Sequence, residues 1–260
     1  MTQKFLISIE RQSKRRQIAL DRFAQVGIDD ITWWKAIDAQ TDELTMFPID
    51  TNKFHRMWLS FGFCCSFDRV YSKSEYACAS SHMSIYKHMV DNNIDYALIL
   101  EDDVYPREEI VELINNASSV MQKYGMDILY LDFEDKLRSF SNKTFNECGV
   151  EIKQVGVPGF DWLFNRRKII YLASAYVLSK RGAEKLMHKG LPIRMTADML
   201  TGLLSYTKLK AYRTTNKYFV NEDIGTDILH HFEMPENDRT GLRLLALKFK
   251  LLVKKLVGRE

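Results

Sequence analysis

The chain has 260 residues, 46% of them hydrophobic and 27% charged, enough for a well-buried core in one large or two small domains. Global disorder is therefore excluded, and 12 Gly and 5 Pro without a period exclude collagen-like and low-complexity chains. The formal charge of +3 is too small to argue for nucleic acid, and it is unevenly spread: residues 239–260 hold seven Lys or Arg against one acid, a local +6 that leaves −3 for residues 1–238.

The longest runs free of Asp, Glu, Lys and Arg are 11 residues, as in Met57 to Phe67, whereas a spanning helix needs roughly 20 apolar residues. No transmembrane segment is expected. The opening MTQKFLISIERQSKRR lacks the apolar core and small-residue cleavage site of a signal peptide. Four cysteines, with Cys64 and Cys65 adjacent, show neither paired metal spacing nor a dense disulfide framework. The expected compartment is cytoplasmic, with free thiols.

Lys4 to Ile9 (KFLISI) reads as a buried strand, followed by a helix from about Ser13 to Val26 that Gly27 stops. Ile31 to Ile37 reads as a second strand, and residues 38–72, with aromatic and polar residues interleaved, as an irregular insertion. Ser72 and Glu75 have capping-box spacing ahead of Tyr76, Ala79, Met83, Tyr86 and Met89, which predicts a helix over 74–92 with Tyr86 and Met89 in the core. Tyr96 to Leu100 (YALIL) is a strand that ends in Glu101, Asp102 and Asp103. A helix is expected from Pro106 to about Tyr124, then a strand at Asp127 to Phe133, a polar excursion with a short hairpin over 134–168, and a strand from Ile169 to Leu178. Ser179 caps a helix over 180–189, closed by Gly190 and Pro192. The alternation argues for an α/β fold with a mainly parallel sheet, in which ligands sit beyond the carboxyl ends of the strands.

Three consecutive carboxylates at a strand end repel one another unless something positive sits among them. Oxygen-only ligation suits Mg²⁺ or Mn²⁺, which take one or two carboxylates and share phosphate oxygens of a substrate. Strand alternation would turn Glu101 and Asp103 the same way and Asp102 elsewhere. The competing reading is a solvated loop.

The segment SEYACASSHMSIYKHM followed by IDYALILEDDV resembles the pattern of glycosyltransferase family 25, with Glu75, Ser81, His82, Glu101, Asp102 and Asp103 at matching positions. ISIERQSKRRQ is similar to the family's first strand and Arg-rich helix start through Arg11 and Arg16, with Ser8 where an Asn is usual. AYVLSKRGAEKLM and PIRMTADMLTG resemble its last block through Ser179, Gly182, Ala183 and Asp198, with Met195 or Thr196 where an acid is usual. The resemblance implies a GT-A-like (Rossmann-like) fold and inverting, metal-dependent sugar transfer from a nucleotide sugar. The family's habit is galactose, from UDP-galactose onto bacterial lipooligosaccharide or lipopolysaccharide, and it has relatives that glycosylate collagen. On this reading Glu101 and Asp103 hold Mn²⁺ or Mg²⁺, Asp102 a sugar or ribose hydroxyl, and Ser8, Arg11, Arg16 and Ser81 belong to the donor site. Asp198 is the leading base, with Glu75 and His82 as rivals. A late residue among Asp223, Asp227, His230 and His231 would complete the metal site, His231 being the choice.

On a helix, Leu242, Leu245, Phe249, Leu252, Val253 and Leu256 form an apolar stripe flanked by Arg243, Lys248, Lys250, Lys254 and Lys255. This divides the chain into a catalytic domain, 1–238, and a basic amphipathic helix, 239–260, for an anionic membrane surface. A lipid-linked oligosaccharide acceptor and a peripheral place on the inner face of a bacterial inner membrane fit together. Leu244, Leu247 and Leu251 on the far side leave packing on the protein body or a second subunit open. Nucleic acid is not expected, since aromatic and basic residues do not interleave. A nucleotidyltransferase usually shows a Gly-rich loop after its first strand, absent here; a non-catalytic glycan-assembly protein is the other alternative.

Overall fold

The computed structural model describes residues 2–52, 71–135, 144–155, 170–172 and 174–221. The tail 239–260, the candidates Asp223, Asp227, His230 and His231, and the pair Cys64 and Cys65 lie outside the described residues.

The first strand, β1 (Gln3–Ser8), pairs in parallel with β2 (Ile31–Lys35) on one edge and β3 (Tyr96–Glu101) on the other, and helices on both sides of the sheet bury its two faces. Successive side chains alternate, so Phe5, Ile7, Ala97 and Ile99 enter one core, and Leu6, Leu98 and Leu100 the other. Helix α1 (Ser13–Gln25) covers the second core through Ala19 and Phe23, and α2 (Lys73–Asp91) covers the first through Met83, Tyr86 and Met89. The expected capping box starts α2: Ser72 Oγ accepts from the Glu75 amide at 3.2 Å, and Glu75 Oε2 accepts from the Ser72 amide at 2.8 Å.

The chain thus leaves β1 for β2 on one side and returns to β3 on the other, with helices on opposite faces. That is a topological switch point, and it opens a crevice beyond the carboxyl ends of β1 and β3.

Between Glu101 and the next sheet strand the expected single helix is broken into pieces. Pro106 belongs to β4 (Val104–Pro106), which pairs with the late β12 (Phe219–Asn221), and the helices are α3 (Val111–Asn115) and α4 (Ala117–Tyr124), separated at Asn116. Pro106 is tolerated in a two-stranded edge pair because it owes the ladder no N–H. Next come β5 (Ile128–Tyr130), the short β6 (Glu134–Asp135) and the hairpin β7 (Thr144–Glu147) to β8 (Val150–Val155), whose two turn residues Cys148 and Gly149 have φ of +53° and +73°, as a type I′ hairpin turn requires.

The apolar run 169–178 is two strands rather than one. β9 (Ile170–Tyr171) pairs with β6, and after Leu172, at φ +76°, the chain enters β10 (Ala175–Ser179). Helix α5 (Lys180–Gly190), capped by Ser179, α6 (Ala197–Gly202), α7 (Leu204–Thr207) and β11 (Ala211–Thr214) follow.

The eight-stranded sheet has the order β2-β1-β3-β10-β5-β11-β8-β7. Six strands run the same way, but β10 and β8 are inserted antiparallel, so only three of the seven pairings are parallel. The expectation of a mainly parallel sheet therefore holds for strand direction and not for pairing, since β10 and β8 run antiparallel to both of their neighbours.

At the amino end of β5, away from the crevice, Asp127 is fully buried and holds the sheet to α5. It accepts from Arg181 Nε at 2.5 Å, Lys185 Nζ at 2.6 Å and the Lys210 amide at 2.7 Å. Burial opposes its charge, but these donors win and leave the carboxyl below its ordinary range. Its stabilising contribution is present above pH 4 or so and disappears as the pH falls through the depressed folded value. Asp127→Ala should lower unfolding free energy by about 2–3 kcal/mol, measured by urea denaturation at pH 7, and should flatten the loss of stability on acidification.

Candidate functional site

The acidic edge is built where β3 stops. Glu101 is the last strand residue, its amide bonded to the Ser174 carbonyl at 2.8 Å, and the chain turns through Asp102 and Asp103 into β4. Because the backbone turns here, strand alternation ends with it. Asp102 and Asp103 share one cation: Arg15 Nη2 stands 2.7 Å from Asp102 Oδ1 and 3.3 Å from Asp103 Oδ2. Asp102 is buried by this pairing. Glu101 instead turns toward α2, where its Oε1 meets His82 Nε2 at 3.1 Å.

Asp103 is the anomalous member. Its Oδ1 is buried and has no hydrogen-bond partner. Burial, first, and the repulsion of Glu101, second, push its carboxyl up to about 7 against the pull of Arg15. An acid whose ionisation a neighbouring carboxylate opposes, and which has an orphaned oxygen, makes with that neighbour a donor set that a hard divalent cation fits.

Glu101 is held from behind by a chain of buried groups. His82 is 1% exposed; its Nδ1 lies 2.8 Å from the Tyr176 hydroxyl, which lies 2.6 Å from the Tyr86 hydroxyl. With the proton on Nε2, every member is satisfied: Tyr86 donates to Tyr176, Tyr176 to Nδ1, and Nε2–H to the carboxylate. Burial pushes the Tyr86 and Tyr176 phenols well above their ordinary range, so both stay neutral. So deeply placed, His82 reaches the crevice only through Glu101.

The other anticipated residues fall around this centre. Asp198 sits half-buried in the first turn of α6, whose cap Thr196 Oγ1 accepts from the Met199 amide at 3.3 Å. Its charge is felt at Cys78 and Tyr86, together with that of Glu101, which places α6 beside the acidic edge. Glu75 is buried as the partner of Ser72 in the α2 cap. Ser81 Oγ accepts from the Ile37 amide at 2.9 Å and donates to the Ala77 carbonyl at 2.8 Å, pinning the loop after β2 to α2. Ser8 is buried at the end of β1, and its carbonyl accepts from Trp33 Nε1 at 2.9 Å.

The arginines near the start of α1 have different surroundings. Arg11 donates from Nε to Asp38 Oδ2 at 2.6 Å, and Arg16 donates to the Ile9 carbonyl at 3.2 Å while stacking 3.8 Å over Trp33. Neither is paired with the acidic edge; Arg15 is. The signal was present in the sequence, since Arg15 precedes the buried Ala19 and Phe23 by four and eight residues and so shares their face of α1. Arg16 is rotated by about 100° from that face.

Further residues at the same edge arrive from distant strands. Asp132 follows β5 and accepts from Ser174 Oγ at 2.7 Å, with Lys217 Nζ at 4.0 Å. Burial raises its carboxyl above the ordinary range, and Glu101 adds to the rise. Arg213 on β11 stacks 4.3 Å from the Phe133 ring centre and donates to the Thr214 carbonyl at 2.9 Å. Asp132 had a visible cue, an acid directly after an apolar strand; Arg213 had none. Among the described residues no helix is long and apolar enough to cross a membrane.

A mixed α/β sheet with repelling carboxylates at a switch point places a candidate ligand site in the crevice beyond its strand ends. The chain belongs to glycosyltransferase family 25 (LPS biosynthesis protein), whose family model matches residues 1–201, a span that runs from β1 into α6. It is 26% identical over 195 residues to a glycosyltransferase 25 family member of Drosophila pseudoobscura pseudoobscura, covering 70% of this chain and 26% of that protein. A relative of the same description from Aedes aegypti is 23% identical over 192 residues, covering 71% and 28%. The chain thus spans about a quarter of the length of these curated relatives. Among solved structures, the crystal structure of A197 from STIV is similar at a TM-score of 0.42 and 12% identity, covering 89% of this chain and all of that one.

Proposed function

We propose that this chain is a metal-dependent, inverting glycosyltransferase of GT-A type that moves galactose from UDP-galactose onto a lipooligosaccharide or lipopolysaccharide acceptor. The observation that carries the metal site is Asp103, with its orphaned buried oxygen and its carboxyl raised toward neutrality beside Glu101. Family membership supports a sugar donor and a glycan acceptor in general. Galactose and a bacterial surface glycan follow the family's habit.

Glu101 and Asp103 would hold Mn²⁺ or Mg²⁺, with His231 proposed as a third ligand. Such an ion, when bound, offsets negative charge developing on the departing diphosphate. Arg15 keeps Asp102 and Asp103 fixed, and the Tyr86, Tyr176 and His82 chain fixes the Glu101 carboxylate in place. Asp102 is proposed for a ribose or sugar hydroxyl. Asp198 takes the proton from the acceptor hydroxyl, on the face of the sugar opposite the leaving group, as single-displacement inversion requires. Residues 239–260 are proposed to lie on an anionic membrane surface, which would bring a lipid-linked acceptor to the crevice at the inner face of the membrane.

The test is calorimetric titration of UDP-galactose and other nucleotide sugars into the protein with and without Mn²⁺. Binding of UDP-galactose that needs Mn²⁺ and disappears in Asp103→Asn is the expected result. Absence of nucleotide-sugar binding under all conditions would favour a non-catalytic assembly role.

A further inference from the structure

Cys78 and His82 are one turn apart on α2 and share a face of that helix. The Cys78 sulfur, a His82 ring nitrogen and a Glu101 carboxylate oxygen all lie within 4.8 Å of one another. His82 Nε2 and Glu101 Oε1 are already 3.1 Å apart. Around a tetrahedral Zn²⁺ with bonds of about 2.0–2.3 Å, ligand atoms stand roughly 3.3–3.8 Å from each other. Small side-chain rotations therefore suffice to close the set.

Two further observations favour a cation here. A ligating imidazole needs its second nitrogen held, and Nδ1 is 2.8 Å from the Tyr176 hydroxyl, which Tyr86 supports in turn. The charges of Glu101, Asp198, Asp103 and Glu75 all oppose negative charge on the partly buried Cys78 thiol, and the potential that opposes an anion favours a dication. The donor atoms differ from the oxygen pair of Glu101 and Asp103: sulfur and imidazole select Zn²⁺, Co²⁺ or Cd²⁺ over Mg²⁺.

We propose that Cys78, His82 and Glu101 form an inhibitory site for a thiophilic dication, with Zn²⁺ as its simplest occupant. Binding releases the Cys78 thiol proton, and the neutral imidazole, its single proton now on Nδ1 and donated to the Tyr176 oxygen, offers the Nε2 lone pair to the ion. Three protein ligands leave a fourth position for water. Because the ion takes Glu101, occupancy removes that carboxylate from the Asp103 side of the edge. The inhibition rests on the transferase reading above; the binding does not.

The test uses the full chain, stripped with chelator and titrated with Co²⁺ or Zn²⁺ alone. One equivalent of Co²⁺ should produce thiolate-to-metal charge-transfer absorption, displaced by Zn²⁺. The absorption should vanish in Cys78→Ser and persist when Cys64→Ser, Cys65→Ser and Cys148→Ser are combined. Zn²⁺ affinity in Cys78→Ser should fall by about tenfold or more, and transfer measured with Mn²⁺ should lose its Zn²⁺ inhibition while its basal rate stays. No charge-transfer absorption in the folded wild-type chain, or absorption that survives Cys78→Ser, overturns the site. Absorption with no sugar transfer in any protein leaves the site standing and overturns the transferase reading instead.

Discussion

Asp103→Asn should raise the thermal midpoint of the metal-free protein at pH 8 while removing sugar transfer. The folded carboxyl titrates at about 7, against about 3.9 for an unfolded Asp. Between those values the folded chain holds a proton that the unfolded chain has released. Stability contributed by the neutral acid is therefore complete below about pH 4 and is lost as the pH rises through 7. Asn mimics the neutral acid at every pH. The side chain is about a third exposed, so the full shift is discounted for solvent screening, and the expected gain at pH 8 is about 1–2 kcal/mol. At pH 5 the gain should shrink toward zero. Transfer should fall by about a thousandfold or more, on the scale of losing a key electrostatic group at a reacting centre. Scanning calorimetry at the two pH values and a transfer assay check the pair of outcomes. A variant that is fully active, or less stable at pH 8 than at pH 5 relative to wild type, would refute the assignment of Asp103.

Arg15→Met should be among the most destabilising single changes at the site. Arg15 is 15% exposed in its side chain and pairs with a nearly buried Asp102 at 2.7 Å. Removing the cation takes from Asp102 its 2.7 Å ion pair with Arg15 and from Asp103 the one charge that lowers its carboxyl. Breaking a buried pair from one side costs about 3–5 kcal/mol, so urea denaturation should show a loss of about 3 kcal/mol or more. Arg16→Met removes only a stacking contact with a partly exposed Trp33 and one carbonyl bond, and should cost about 1 kcal/mol. Equal losses for the two variants would contradict the distinction drawn between them. Lys at position 15 should rescue only part of the loss, because a point charge cannot span two carboxylates as a planar guanidinium does.

What local sequence could show was carried by short-range rules. The apolar run of β1, the Ser72 and Glu75 box ahead of α2, and the YALIL strand ending in three acids each depend on residues within a few positions of one another. The turn at 148–149 likewise needs only two residues with positive φ. The acids of the edge were legible for the same reason: a buried strand that stops in carboxylates must place them at a sheet end.

Other features depended on which distant segments meet. Nothing local marks β10 as running against β3 and β5, because strand direction is set by the connection and by neighbours far away in the chain. β11 is four residues long and includes the buried Arg213, so its sequence AYRT has no strand period to read. Asp132 and Ser174 become partners only when β5 and β10 pair. The sequence by itself determined the opening βαβ unit, helix α2, the acidic strand end and the family. The tertiary structure decided that Arg15 neutralises Asp102 and Asp103, that His82 supports Glu101 from inside the core, and that Cys78 comes within ligating distance of both. Periodicity encodes the face of an element, whereas the pairing of faces is a property of the assembled sheet.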